Sequence, residues 1–130
     1  MTKVEELKLK GNSAMQSENY DEAISYYTDA IRLDPSNHIL FSNRSAAYKQ
    51  KGDFAKALDD ASKIVELKKD WPKGYSRKAT AFKCLGRYDD AINAYNEGLS
   101  YDSNNAELKE ALAKCQECLK SSRSAVSFIA

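Results

Sequence analysis

Small and apolar residues recur along the chain with a period of 34 residues, and within each period they step by three and four positions. Shifting the sequence by one period brings Ala23, Ala57 and Ala91 into register, each followed by isoleucine or leucine. Two further sets coincide, the small residues Gly11, Ser45 and Ala79 and the aromatic residues Tyr20, Phe54 and Tyr88. Steps of three and four place side chains on one helical face, so the pattern predicts stacked units of α-helices.

Turn signals divide each unit into two antiparallel helices. Gly52 and Gly86 interrupt the second and third units near their middles. Pro35 ends the second helix of the first unit, and either Ser36 or Asn37 can cap the helix that follows. Asp70 is placed to cap the first helix of the third unit in the same way.

The periods predict one all-α domain over residues 1–120, with a right-handed superhelix of three helix pairs. The repeats are expected at about 4–37, 38–71 and 72–105. A stack of this kind leaves its last apolar face bare, so a capping helix is expected over about 105–120, covering that face with Leu108, Leu112, Cys115 and Leu119. Residues 121–130 are predicted to be a tail or the start of a linker.

Five polar residues are predicted to line one groove. Lys8 and Asn12, like Lys73 and Arg77, are four residues apart and share a helical face, and Asn43 lies one period before Arg77. The first helices of the three pairs, over 3–17, 37–51 and 71–85, bring all five to the concave side of the stack. Three cations and two carboxamides without an acid suit a ligand that carries two neighbouring carboxylates. Apart from Asn43 and Arg77, the five do not share repeat positions, which indicates a site added to the scaffold.

Bulk charge and composition exclude several other classes. With 20 basic and 19 acidic residues, the net charge is +1, which gives no reason to expect nucleic acid or an anionic membrane as partner. No apolar run approaches the roughly 20 residues needed to span a bilayer, and the N-terminus lacks the apolar core of a signal peptide. Three cysteines predict a reduced, cytoplasmic protein, and the Cys115–Cys118 pair has no second pair to complete a metal site.

Enzyme chemistry has no candidate constellation in the sequence. The chain has one histidine and no phosphate-binding, zinc-protease or nucleophile-elbow motif. The acidic pairs Asp59-Asp60 and Asp89-Asp90 fall on second helices, where we expect them to face solvent. The sequence therefore predicts a binding domain that is not an enzyme and needs no cofactor or metal.

The motifs resemble a known repeat family. The first unit carries the signature of the tetratricopeptide repeat, namely Gly11, Tyr20, Ala23, Tyr27, Ala30 and Pro35. Later units depart from it, with Ala61 in place of the large aromatic residue and Lys69 and Ser103 in place of the closing proline. The segments HILFSNRSAAY, DWPKGYSRKA and YNEGL resemble more narrowly the N-terminal repeat domain of the organising co-chaperones that link heat-shock protein 70 to heat-shock protein 90.

That resemblance implies a carboxylate clamp for the C-terminal Glu-Glu-Val-Asp of a chaperone. Lys8, Asn12 and Asn43 would hold the terminal α-carboxylate, Lys73 the aspartate side chain, and Arg77 would add donors beside them. Secondary contacts are expected from five further residues. Met15, Ala46 and Thr80 would form a small pocket for the valine, and Lys49 and Lys83 would meet the glutamates.

Three functions stay open from the sequence. The first is an adaptor for the heat-shock protein 70 tail, acting as a monomeric domain of a larger chain. The second is the same clamp serving heat-shock protein 90 in an immunophilin-type or ubiquitin-ligase-type co-chaperone. The third is a purely structural repeat that assembles with another protein.

Overall fold

A computed structural model of the chain consists of seven consecutive α-helices, and residues 1–129 contain no strand. It describes the backbone of residues 1–129 and the side chains of residues 1–124. The helices are α1 Lys3–Gln16, α2 Tyr20–Leu33, α3 His38–Lys51, α4 Phe54–Leu67, α5 Pro72–Cys84, α6 Tyr88–Tyr101 and α7 Ala106–Ile129.

Each helix packs on the next, and alternate helices also touch in the order α1, α3, α5 and α7. The first helices of the three pairs therefore lie side by side, as the 34-residue period predicted. Small residues make this close approach possible, because the equivalent alanines Ala23, Ala57 and Ala91 of the second helices are all fully buried.

Side chains cap several of the helix starts, and one helix start differs from the prediction. Thr2 and Glu5 form a reciprocal capping box at the start of α1, and the Asn37 side chain accepts from the Ile39 amide at the start of α3. Helix α5 begins differently from the prediction, because its N-cap is Trp71 and not Asp70, and no side chain bonds its first turn. Pro72 occupies the first helical position, where its fixed φ suits the helix and its missing N–H would have had no partner within the helix.

The capping helix is longer than predicted. Its first half covers the third pair as expected, with Leu108 and Cys115 buried and Leu112 packed beside them. Instead of ending near residue 120, α7 continues to Ile129 through residues predicted to form a tail. The Arg123 guanidinium lies 3.4 Å from the Asp89 carboxylate of α6, which links the extension to the last pair. No proline or glycine interrupts residues 106–129, so the helix has no local reason to stop.

A buried ion pair corrects the expectation for the first acidic pair. Asp59 is exposed, but Asp60 is only 4% exposed and accepts two hydrogen bonds from Arg44 of α3, at 2.8 Å and 2.7 Å. Arg44 also donates to the Thr28 hydroxyl of α2 at 3.1 Å. Helices α2, α3 and α4 are therefore joined by one guanidinium, whose fork matches a carboxylate bidentately.

The described residues contain no helix that is both long and apolar enough to cross a bilayer. Within the same residues, His, Cys, Asp and Glu side chains do not form a group of three or more that could hold a metal ion.

Candidate functional site

Two predicted site residues, Asn12 of α1 and Asn43 of α3, meet between the first and second pairs. The Asn43 Nδ2 group donates to Asn12 Oδ1 over a long 3.5 Å, and the Tyr27 hydroxyl of α2 donates to the same oxygen at 2.6 Å. Asn12 Oδ1 is thereby occupied by two donors. The Nδ2 group of Asn12 has no acceptor among the described residues, so it is available to donate to a ligand.

Arg77 of α5 lies against the helix that carries Asn43. Its Nε donates to the hydroxyl of buried Ser42 at 3.1 Å, and Ser42 directly precedes Asn43 in the chain. Burial lowers the pKa of the Arg77 guanidinium, and Ser42 is a neutral partner that does not offset the desolvation. An anion bound beside Arg77 would supply the missing opposite charge.

The two lysines flank these groups by one helical turn. Half-buried Lys8 precedes Asn12 on α1, and exposed Lys73 precedes Arg77 at the start of α5. The Lys73 ammonium lies 6.0 Å from the centre of the Trp71 ring, which in turn meets His38 edge-on at 4.8 Å. Trp71 thus packs between the second and third units, which orients the first turn of α5.

This surface carries more positive than negative charge. The ion pairs among the described residues do not include Lys8, Lys73 or Arg77. By contrast Lys10, two residues after Lys8, lies 3.9 Å from Glu6. Glu107 of α7 lines the same cavity as Lys73 and Arg77 but forms no ion pair with either. The three cations therefore leave an excess of positive charge, which raises the local affinity for anions even though the net charge of the chain is close to zero.

The secondary contacts fall into two groups. Ala46, Lys49 and Thr80 line one small cavity together with Arg77, between α3 and α5. Met15 is not part of that lining, because its side chain packs against the buried cluster of the first pair, and Lys83 lies farther along α5, where its charge acts on Cys115 of α7. Two of the three residues expected to form the valine pocket, Ala46 and Thr80, thus line one cavity, and the pocket itself stays a prediction.

The structure brings the five predicted residues to three adjacent helices but joins only the two asparagines directly. Two groups that hold them were missed from the sequence. The sequence shows Tyr27 only as a residue of the repeat signature, and Ser42 carries no signal there beyond a hydroxyl directly before Asn43.

Family models give the same architecture. Two models described as tetratricopeptide repeat match residues 8–72 and residues 72–105. The chain belongs to the tetratricopeptide repeat family. The boundary between the two matches falls at Pro72, where the third helix pair begins.

Among curated relatives, this tetratricopeptide repeat chain is 56% identical over 108 residues to the heat shock protein sti1 homolog of Schizosaccharomyces pombe. That match covers 83% of the chain but 18% of the relative. The chain is also 46% identical over 108 residues to the Hsp70-Hsp90 organising protein of Plasmodium falciparum, a match that covers 83% of the chain and 43% of the relative. The resemblance to the organising co-chaperones is therefore confirmed at the level of sequence. The chain spans between 18% and 43% of the length of the curated relatives it matches.

Two solved structures of similar shape are complexes. The first tetratricopeptide domain of Spaghetti (RPAP3), bound to the HSP90 peptide SRMEEVD, has a TM-score of 0.83 at 36% identity, covering 91% of this chain and 94% of that one. The second is the complex of the yeast Sti1 TPR2B domain with pHsp70. It has a TM-score of 0.82 at 26% identity, and the match covers 88% of this chain and 97% of that one. The all-α repeat fold predicted from the 34-residue period is thus confirmed.

Proposed function

We propose that this domain is a co-chaperone adaptor that binds the C-terminal Glu-Glu-Val-Asp tail of cytosolic heat-shock protein 70. The observation that carries the proposal is the placement of three cations, none of them in an ion pair among the described residues, beside a preset carboxamide along α1, α3 and α5. The domain would act by binding, without catalysis, as one cytoplasmic module of a longer protein. The similarity to relatives named as organising proteins supports this reading.

The polar groups suit the two carboxylates of a terminal aspartate. Lys8, the Nδ2 group of Asn12 and Asn43 would hold the α-carboxylate, and Lys73 would meet the side-chain carboxylate. Arg77 would neutralise the charge beside them through charge-assisted hydrogen bonds. An internal aspartate has only one carboxylate, so the clamp would require a free chain end. Ala46 and Thr80 would contact the residues upstream, and Lys49 and Lys83 the glutamates.

The expected affinity is modest. A hydrogen bond to a charged group contributes roughly 1.5–3 kcal/mol. Four or five such bonds, offset by the ordering of a flexible tail, leave about −8 kcal/mol, which corresponds to a micromolar complex. A complex of about this affinity can dissociate readily, as reversible transfer of a client protein requires.

Heat-shock protein 90 is the second candidate partner, because the Spaghetti (RPAP3) domain is bound to a peptide ending in MEEVD. The two tails share Glu-Glu-Val-Asp and differ immediately before it, where the sequence of the first candidate is Ile-Glu-Glu-Val-Asp. Calorimetric titration of the domain with both pentapeptides separates the two candidates. Tighter binding of the methionine peptide would favour heat-shock protein 90.

The clamp itself is tested by variants of Lys8 and Arg77. Each change to alanine removes a cation without an ion-pair partner, so we expect at least tenfold weaker binding. Lys8→Ala should change the melting temperature little, whereas Arg77→Ala also removes the donor to the buried Ser42 hydroxyl, so its binding is measured at a temperature at which circular dichroism shows it folded. Lys10→Ala is the matched control, since Lys10 is already paired with Glu6 and should leave the affinity unchanged. Unaltered binding by the Lys8→Ala, Arg77→Ala double variant would refute the assignment, and absence of binding by the wild type would leave a structural repeat.

A further inference from the structure

We infer that Tyr27 is a positioning residue of the clamp, which holds the Asn12 carboxamide with its Nδ2 group turned toward the peptide carboxylate. The inference rests on the proposed function for the ligand, but its geometrical part concerns the free protein. It gives a binding role to a residue of the second helix, whereas the five clamp residues all lie on first helices.

The orientation follows from the hydrogen bonds of one oxygen. An asparagine amide can present either its acceptor or its donor to a ligand, depending on a half-turn about its last bond. Tyr27 donates to Asn12 Oδ1 at 2.6 Å, and Asn43 approaches the same oxygen at 3.5 Å. A hydroxyl can also accept, so the Tyr27 bond alone would suit either end of the amide. The Asn43 Nδ2 donor at the same oxygen makes Oδ1 the acceptor, and the short Tyr27 bond holds the amide in that orientation.

Tyr27 is held rigidly enough for this task. Its side chain is 1% exposed, and burial raises the pKa of Tyr27 to about 12, so the hydroxyl stays protonated. The ring occupies the space that a Cβ atom at Gly11 would need. Gly11 is the residue before Asn12, so the tyrosine is seated against the same turn of α1 that carries the carboxamide.

The three repeats provide an internal comparison at the same two positions. In the first, Tyr27 faces Asn12, and in the third, Tyr95 faces Thr80, whose side chain opposes the rise that burial causes in the pKa of Tyr95. In the second repeat the equivalent residues are both alanine, Ala46 and Ala61, and neither needs a partner. In both repeats that have a polar residue at the groove position, the equivalent position of the second helix is therefore a tyrosine.

The test is a cycle of three proteins and two peptides. Wild type, Tyr27→Phe and Tyr95→Phe are titrated calorimetrically with Ile-Glu-Glu-Val-Asp carrying a free or an amidated C-terminal carboxyl. The ratio of the two affinities measures recognition of the α-carboxylate. We expect Tyr27→Phe to lower that ratio about fivefold, the value of one ordinary hydrogen bond. Tyr95→Phe, which removes an equally buried hydroxyl, should leave the ratio unchanged.

An equal ratio in wild type and Tyr27→Phe, or an equal loss in both variants, would overturn the inference. A wild type that binds both peptides alike would instead overturn the proposed clamp. The geometrical part is then decided without ligand, by NMR of the Asn12 side-chain amide. Slower rotation of that amide in wild type than in Tyr27→Phe supports the inference, and identical resonances and relaxation in the two proteins contradict it.

Discussion

Replacing Asp60 with asparagine should destabilise the domain more than any change on its surface. The Arg44 and Asp60 side chains are 17% and 6% exposed, and the carboxylate accepts both arms of the guanidinium. An asparagine keeps the shape but places an NH₂ group against one arm and removes the charge. The guanidinium would remain buried without its counterion, which typically costs about 3–5 kcal/mol.

That loss is a large share of the stability of an ordinary domain, roughly 5–15 kcal/mol. For a chain of this length it corresponds to a fall in melting temperature of about 10–20 °C. Asp59→Asn is the matched control, since Asp59 is the exposed neighbour and its change should stay within about 0.5 kcal/mol.

Urea denaturation of wild type and both variants, followed by circular dichroism, measures these differences. A difference below about 1 kcal/mol between Asp60→Asn and Asp59→Asn would refute the argument. It would mean that water or Thr28 satisfies the guanidinium as well as the carboxylate does. Arg44 also lies 5.5 Å from the Phe41 ring, which would soften but not cancel the loss.

Three further changes test the packing. Gly11→Ala should destabilise the domain by about 1–3 kcal/mol in urea, because its new methyl group overlaps the Tyr27 ring. Gly52→Ala should cost about 1 kcal/mol in the same assay, because a φ of +91° strains a residue that has a Cβ atom. Open space surrounds Gly52, so no steric overlap adds to this cost. Burial raises the pKa of Tyr27 and of Tyr75 to about 12, against 10.0 in the unfolded chain. Their protonated forms therefore stabilise the fold fully below pH 10, and stability measured in urea should fall between pH 10 and 12, less steeply in Tyr27→Phe.

Each of these predictions has a clear contrary result. Gly11→Ala with wild-type stability would mean that the Tyr27 ring moves aside without cost. Gly86→Ala is the comparison for Gly52→Ala, because it shares the positive φ and the open surroundings and should show a similar loss. An unchanged alkaline slope in Tyr27→Phe would mean that other tyrosines carry the pH dependence.

The helices and their order were predictable because they follow from a local rule repeated three times. Alanine and glycine at fixed intervals, with Gly52 and Gly86 at left-handed turns, determine where helices pack and where they end. At one helix start the prediction was wrong by one residue: α5 begins at Pro72, which favours the first helical position, so the residue directly before it, Trp71, is the N-cap in place of Asp70. Helix α7 runs past its predicted end near residue 120, because the polar residues that follow include neither proline nor glycine and so do not end the helix.

The partners of the polar side chains could not be predicted in the same way. Asp59 and Asp60 are adjacent and identical, and only the approach of Arg44 from another helix makes one of them buried. Tyr27 likewise fits a core position in the sequence, and its bond to Asn12 depends on the crossing of α1 and α2.

The sequence by itself determined the repeat, the seven helices and the three cations without acids, since periodicity and composition are properties of the chain. The tertiary structure decided which end of the Asn12 amide is free, which aspartate is buried and which hydroxyl holds Arg77. The physical reason is range: helix formation depends on neighbours within four residues, whereas these hydrogen bonds join groups 15 to 35 residues apart.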